Sequence, residues 1–201
     1  MISSTILEFL NQTWPLMLIS TVVLVTIRIT YIFKNKVEFI LYKELMMLAF
    51  ILYIMCLFYI VTYQDVTYHT TSNFIPFKEM FRYQIGSGMF IRQVVGNVFM
   101  FAPFGFFLGY LLKLDKVTPA FILSLITSFT IEVTQSKIGR IFDIDDIILN
   151  VLGGIIGTYI YLLLYHFRSK LPKFLKNVLV YDLLMIVIIS LLVVYIVSLI
   201  G

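Results

Sequence analysis

The chain has 201 residues, 61% of them hydrophobic and 13% charged, with a mean hydropathy of +1.00 and a formal net charge of +4. This composition excludes an ordinary soluble domain and defines an integral membrane protein. At roughly 20 residues per spanning helix there is room for about five to seven spans and for no sizeable soluble domain. The positive charge forms no basic stripe, which argues against nucleic acid as a partner.

The first twelve residues carry Glu8 and no lysine or arginine, and the apolar run beyond them has no small-residue cleavage pattern, so a cleaved signal peptide is not expected. Apolar runs of spanning length follow at 14–33, 45–63, 93–112, 118–136, 146–167 and 178–200. The expected fold is all-α, a polytopic transmembrane bundle of about six spanning helices forming one domain over residues 1–201. The only cysteine, Cys56, lies inside the second run, so neither an internal disulfide nor a cysteine cage for a metal is available. His69, in a polar loop, and His166, late in the fifth run, are badly placed to pair as a zinc site.

Orientation is read from the basic residues. Lys34, Lys36 and Lys43 follow the first run, Lys113 and Lys116 the third, and Arg168, Lys170, Lys173 and Lys176 the fifth. The alternate loops hold fewer: Lys78, Arg82, Arg92, Lys137 and Arg140. The richer side is expected in the cytoplasm, with both termini outside and Arg28 snorkelling to the cytoplasmic interface.

Between the second and third runs lies the longest connection, from Gln64 to Ile91, with Asp65, Asn73-Phe74-Ile75-Pro76-Phe77 and the flexible Gly86-Ser87-Gly88. Long loops in compact bundles are often functional, and this one is expected to fold over a site as a partial lid. In the third run Pro103 predicts a kink. Asn97, near the outer end of that run, needs a polar partner, for which Glu132 and Asn150 are the nearest candidates by depth.

The fourth run is diluted by polar residues, but Ser124, Ser128, Glu132 and Gln135 fall on one face at helical spacing. Across a short turn, Asp143, Asp146 and Asn150 line one side of the fifth run, and Asp145 points elsewhere. An antiparallel hairpin brings the two stripes together, with Arg140 at the turn. Ionisable groups at such depth are costly and usually mark a site. Capping gives a simpler account of part of the cluster, with Asp143 as N-cap and Asp146 reaching back as in a capping box. Gly105 with Gly109, and Gly153 with Gly157, mark surfaces where helix backbones approach closely.

Three blocks resemble the VanZ-like family, membrane proteins named after a teicoplanin-resistance determinant of Gram-positive bacteria. They are Asn73 to Phe77, then Gly96-Asn97 with Phe101-Ala102-Pro103-Phe104-Gly105, then Glu132-Val133-Thr134-Gln135, Arg140, Asp143-Ile144-Asp145-Asp146, Asn150 and Gly153. The resemblance runs from about residue 73 to 160, and the last run, 178–200, is an extension. The turn Ser136-Lys137-Ile138-Gly139-Arg140 departs from the pattern, which more often has an aromatic or leucine after the glutamine. The resemblance implies a multi-pass protein of the cell membrane with a role in glycopeptide or lipoglycopeptide resistance, and no established mechanism.

Two functions fit these residues. In the first, Asn97, Gln135, Arg140, Asp143 and Asn150 bind an envelope lipid, a lipid-linked cell-wall precursor or the antibiotic. In the second, Glu132 and Asp146 act as catalytic acid or base on a lipid-linked substrate, with Asp143 and Asp146 also able to hold a divalent cation. No nucleophile motif or phosphate-binding glycine loop is present. Membrane lipids are the expected partners, and the sequence indicates neither a cofactor nor an oligomeric state.

Overall fold

The structure is a computed structural model describing residues 2–63, 72–170, 172 and 176–200, with side chains at 14–58, 72–170, 172 and 176–190. Asp65, His69 and Lys173 lie outside the described residues, and so does the side chain of Glu8. All six predicted runs are helical. They are α1 (Ile2–Asn35), α2 (Leu41–Tyr63), α4 (Gly96–Leu112), α5 (Thr118–Lys137), α6 (Ile144–Arg168) and α7 (Val178–Ile200). A single turn, α3 (Gly88–Phe90), and a π-helical stretch over Ile91–Val95 lead into α4.

Among the described residues four helices are long and apolar enough to cross a membrane: Trp14–Asn35, Leu41–Phe58, Gly88–Leu112 and Ile144–Arg168. Val178–Ser190 is a shorter apolar helix. By that measure α5 does not qualify, because its buried face is the polar stripe Ser124, Ser128, Glu132 and Gln135. Such a helix is tolerated in lipid when its polar side is turned to other helices.

The chain divides into two compact units, residues 57–169 and residues 1–56 with 170–201. In the second of these, Arg28 of α1 grips Glu44 of α2 with two charge-assisted hydrogen bonds, of 2.7 and 2.9 Å. A guanidinium paired in this way is less costly near an apolar layer than a lone one. Asp182 of α7 accepts from the backbone N–H of Tyr42 at 2.8 Å, satisfying one of the orphan donors at the start of α2.

The other unit holds the candidate site. Its axis is the close packing of α4 on α6. A Cβ at Gly105 would overlap the Gly154 carbonyl, and one at Gly157 would overlap the Ala102 carbonyl. Gly109 lies against the Tyr161 ring, and Gly153 against Val98 and Phe101. Thr158, fully buried, places its hydroxyl 2.9 Å from the carbonyls of Gly105 and Gly154, joining the two backbones. Around this seam Phe101, Phe104, Leu149 and Val151 form the apolar core. The helix α4 runs through Pro103 to Leu112, and the irregular backbone of this segment is the π stretch at Ile91–Val95, ahead of the proline.

Candidate functional site

The site is assembled where α5 ends and α6 begins. Gly139, at φ +91°, closes α5 in the left-handed conformation that glycine adopts without strain. The N–H of Arg140 then donates to the Gln135 carbonyl at 2.9 Å, the long bond of a Schellman closure. This turn fixes Arg140 beside the next helix. There, Asp143 is the N-cap, its Oδ1 accepting from the N–H of Asp145 at 2.9 Å. Asp146 does not complete a capping box; its carboxylate accepts from Nδ2 of Asn97 on α4. The Asp143 N–H that a capping box would offer to Asp146 is taken by Glu132, and Asp146 faces Asn97 of α4 instead.

Glu132 has 1% of its surface exposed. Its Oε2 accepts from the backbone N–H of Asp143 at 2.9 Å, so it ties the end of α5 to the start of α6. Asn97 was expected to meet Glu132 or Asn150, and it meets Asp146. One turn deeper, Asn150 donates to Ser128 at 2.9 Å. The buried Oδ1 of Asn150 and Oγ of Ser124 have no hydrogen-bond partner.

The long loop is a fixed wall of this site over its described part. Asn73 pairs with the chain around Asp143 as an isolated parallel bridge, its N–H on the Phe142 carbonyl at 2.9 Å and its carbonyl receiving the Ile144 N–H at 3.1 Å. The Asn73 amide adds a 2.8 Å bond to Asp143 Oδ1, and Phe74 stacks on Phe142 with centroids 5.2 Å apart. Asp145, expected to point elsewhere, holds the same loop. Its Oδ1 accepts from the N–H of Phe77, and its Oδ2 from those of Glu79 at 2.7 Å and Met80 at 3.1 Å. With 2% exposure and three N–H donors, this carboxylate is the clasp of the loop.

Loop, turn and helix enclose a cavity of ≈ 420 Å³. Of the predicted site residues, Arg140, Asp143 and Asp146 line it, while Asn97 and Glu132 stand directly behind two of these through their hydrogen bonds. Gln135 and Asn150 are buried in the α5–α6 contact and do not line the cavity. The loop contributes Lys78, Arg82 and Tyr83, which the sequence did not single out as site residues. Their signal was a cluster of polar and basic residues within the long loop.

Burial pushes the Asp143 carboxyl up, against the N–H donors of Asp145 and Asn73, which favour its charged form. Burial and the neighbouring Glu79 push the Tyr83 phenol up as well, so it stays a hydrogen-bond donor. Among the described residues no group of three or more His, Cys, Asp or Glu side chains is arranged to hold a metal ion. Asp143, proposed from sequence as half of such a pair, already spends Oδ1 on two donors.

A helical unit with apolar spans and a walled polar cavity at its helix ends defines a multi-pass membrane protein with a candidate binding site. The profile of the VanZ/LLP1 family matches residues 45–165, and the chain belongs to that family. It is similar to Protein VanZ of Enterococcus faecium, 38% identical over 72 residues, which are 35% of this chain and 44% of that protein. The match thus spans less than half of the relative. No solved structure matches the chain.

Proposed function

We propose that this protein binds an envelope lipid, a lipid-linked wall precursor or a glycopeptide antibiotic in the cavity beside Arg140 and Asp146, and through that binding contributes to glycopeptide resistance. One observation carries the reading: a cavity of ligand size, lined by charges of both signs and walled by a loop that Asp145 fastens down. Membership of the VanZ/LLP1 family and the likeness to Protein VanZ supply the link to resistance. In this reading the cavity opens to the cell exterior, on the side poorer in lysine and arginine.

The test combines susceptibility with binding. Deletion and overexpression should move glycopeptide susceptibility in opposite directions, and Arg140→Ala should behave as the deletion at equal protein level. Purified protein should retain labelled lipid II, a polyprenyl phosphate or a glycopeptide, and lose it on Arg140→Ala. Unchanged susceptibility in both strains would remove the resistance role, and a reporter placing Arg140 in the cytoplasm would remove the outward-facing site.

A second reading, acid or base chemistry on a lipid-linked substrate, is favoured by Asp146, a carboxylate that lines the cavity. Glu132 fits it less well, being enclosed and bonded to the Asp143 N–H. A product formed from lipid II or a polyprenyl phosphate, and lost in Asp146→Asn, would decide for it.

A further inference from the structure

Two opposite charges line the cavity without an ion pair. Lys78, exposed, comes from the loop, and Asp146, half-buried, comes from α6. Among the described residues neither is in a salt bridge, whereas Arg82 is already paired with Glu79 at 3.0 Å. The neighbouring acids are also engaged. Asp145 is spent on three backbone N–H groups, and Asp143 Oδ1 on two donors. Asp146 has one amide donor, Asn97. Glu132 and Asp143 act on the same carboxylate with like charge, and Arg140, which also lines the cavity, with opposite charge. A partly desolvated Asp146 with one neutral donor in contact is thus undercompensated, and a cation brought by a ligand would correct that.

Resting on the reading of this cavity as a ligand site, we propose that its ligand is a zwitterion, with a primary ammonium received by Asp146 and a phosphate or carboxylate received by Lys78. Asn97 holds the Asp146 carboxylate in place and so acts as a positioning residue. A primary ammonium is favoured over a quaternary one because it donates charge-assisted hydrogen bonds to a carboxylate. Among the described residues Tyr83 is the one aromatic side chain lining the cavity, short of the cage of several rings that a quaternary ammonium uses. Lysine, a flexible point charge, does not select between phosphate and carboxylate. The same pair of groups is offered by an ethanolamine or aminoacyl phospholipid head and by a soluble zwitterion.

The experiment uses the full chain in detergent and dihexanoyl phospholipids as probes, read by native mass spectrometry or thermophoresis. Phosphatidylethanolamine should bind at least about tenfold more tightly than its N-acetylated form, phosphatidylglycerol or phosphatidylcholine. Asp146→Asn, nearly isosteric, should erase the preference for the free amine. Lys78→Ala, at an exposed position, should weaken phosphatidylethanolamine and phosphatidylglycerol together and leave the amine preference intact. Soluble phosphoethanolamine binding within about tenfold of the lipid identifies a free headgroup as sufficient, and its failure beside a binding lipid identifies a membrane source; both support the proposal.

Phosphatidylglycerol or the N-acetylated lipid binding as tightly as phosphatidylethanolamine would overturn the zwitterion while leaving the cavity a ligand site. An amine preference that survives in Asp146→Asn would overturn the role of Asp146. Failure of every phospholipid probe beside lipid II or glycopeptide that is retained equally well by Asp146→Asn would also overturn the zwitterion alone. Failure of all probes, lipid II and antibiotic included, would overturn both readings.

Discussion

The backbone N–H of Asp143 donates to Oε2 of Glu132 over 2.9 Å, joining the penultimate turn of α5 to the cap of α6. The most buried acid of the chain's polar stripe therefore holds the hairpin. Glu132→Gln keeps an acceptor in the same place and should change stability by less than about 1 kcal/mol, whereas Glu132→Ala leaves the donor unmet and should cost about 1 to 3 kcal/mol. Thermal unfolding of the two variants in detergent checks the difference. Equal losses would show that this bond does not hold the hairpin.

Asp145 and Asp143 should respond differently to amide substitution. Both oxygens of Asp145 accept from the loop, so Asp145→Asn sets an NH₂ against an N–H and should destabilise nearly as much as Asp145→Ala, by about 3 kcal/mol or more. Hydrogen exchange at Phe77, Glu79 and Met80 should accelerate in both variants. Asp143 accepts Asn73 and the Asp145 N–H through Oδ1 alone, so Asp143→Asn preserves the cap and should leave those amides protected.

Two serines one turn apart on α5 should differ in sign. Ser124 Oγ is buried without a partner, so Ser124→Ala removes an uncompensated hydroxyl and should be neutral or stabilising by up to about 1 kcal/mol. Ser128→Ala strands the Asn150 amide and should destabilise by about 1 to 3 kcal/mol. Melting temperatures of the pair, measured side by side, check the order.

Asp143 also sets a pH dependence. Its folded carboxyl titrates above the ordinary aspartate value near 4, so within that window the unfolded chain has released the proton first. The folded state then binds more protons, and stability falls as pH rises from the unfolded value through the raised folded one. The contribution is complete below that window, and Asp143→Asn should flatten the slope there. A denaturation series across the acid range, wild type against variant, would show the slope unchanged if another group carries it.

Much of the fold was legible because spanning helices are written in hydrophobicity and length, two properties that need no knowledge of neighbours. The α5 stripe was legible for a similar reason, since Ser124, Ser128, Glu132 and Gln135 share a face by arithmetic and that face is the buried one. Periodicity does not say which polar group pairs with which. Depth pointed Asn97 at Glu132 or Asn150, while the close α4–α6 approach through Gly105 and Gly154 sets it against Asp146. Asp145 was missed as a clasp because its partners are backbone N–H groups, and every residue type there except proline presents the same donor. Gln135 and Asn150 were drawn to the cavity by sharing its stripe, although the stripe continues below it into the helix contact.

The bridge between Asn73 and Asp143 also imposes an order on synthesis. Its two sides are 70 residues apart in the chain, so the loop waits while three further helices are made and has no partner until Phe142 and Ile144 have emerged. Late, non-local closure of this kind is slow and leaves unpaired backbone exposed in the interval. A chain truncated before residue 142 would thus keep the first helices and lack the pairing that builds the cavity wall, so a fragment ending there should insert in the membrane and bind nothing.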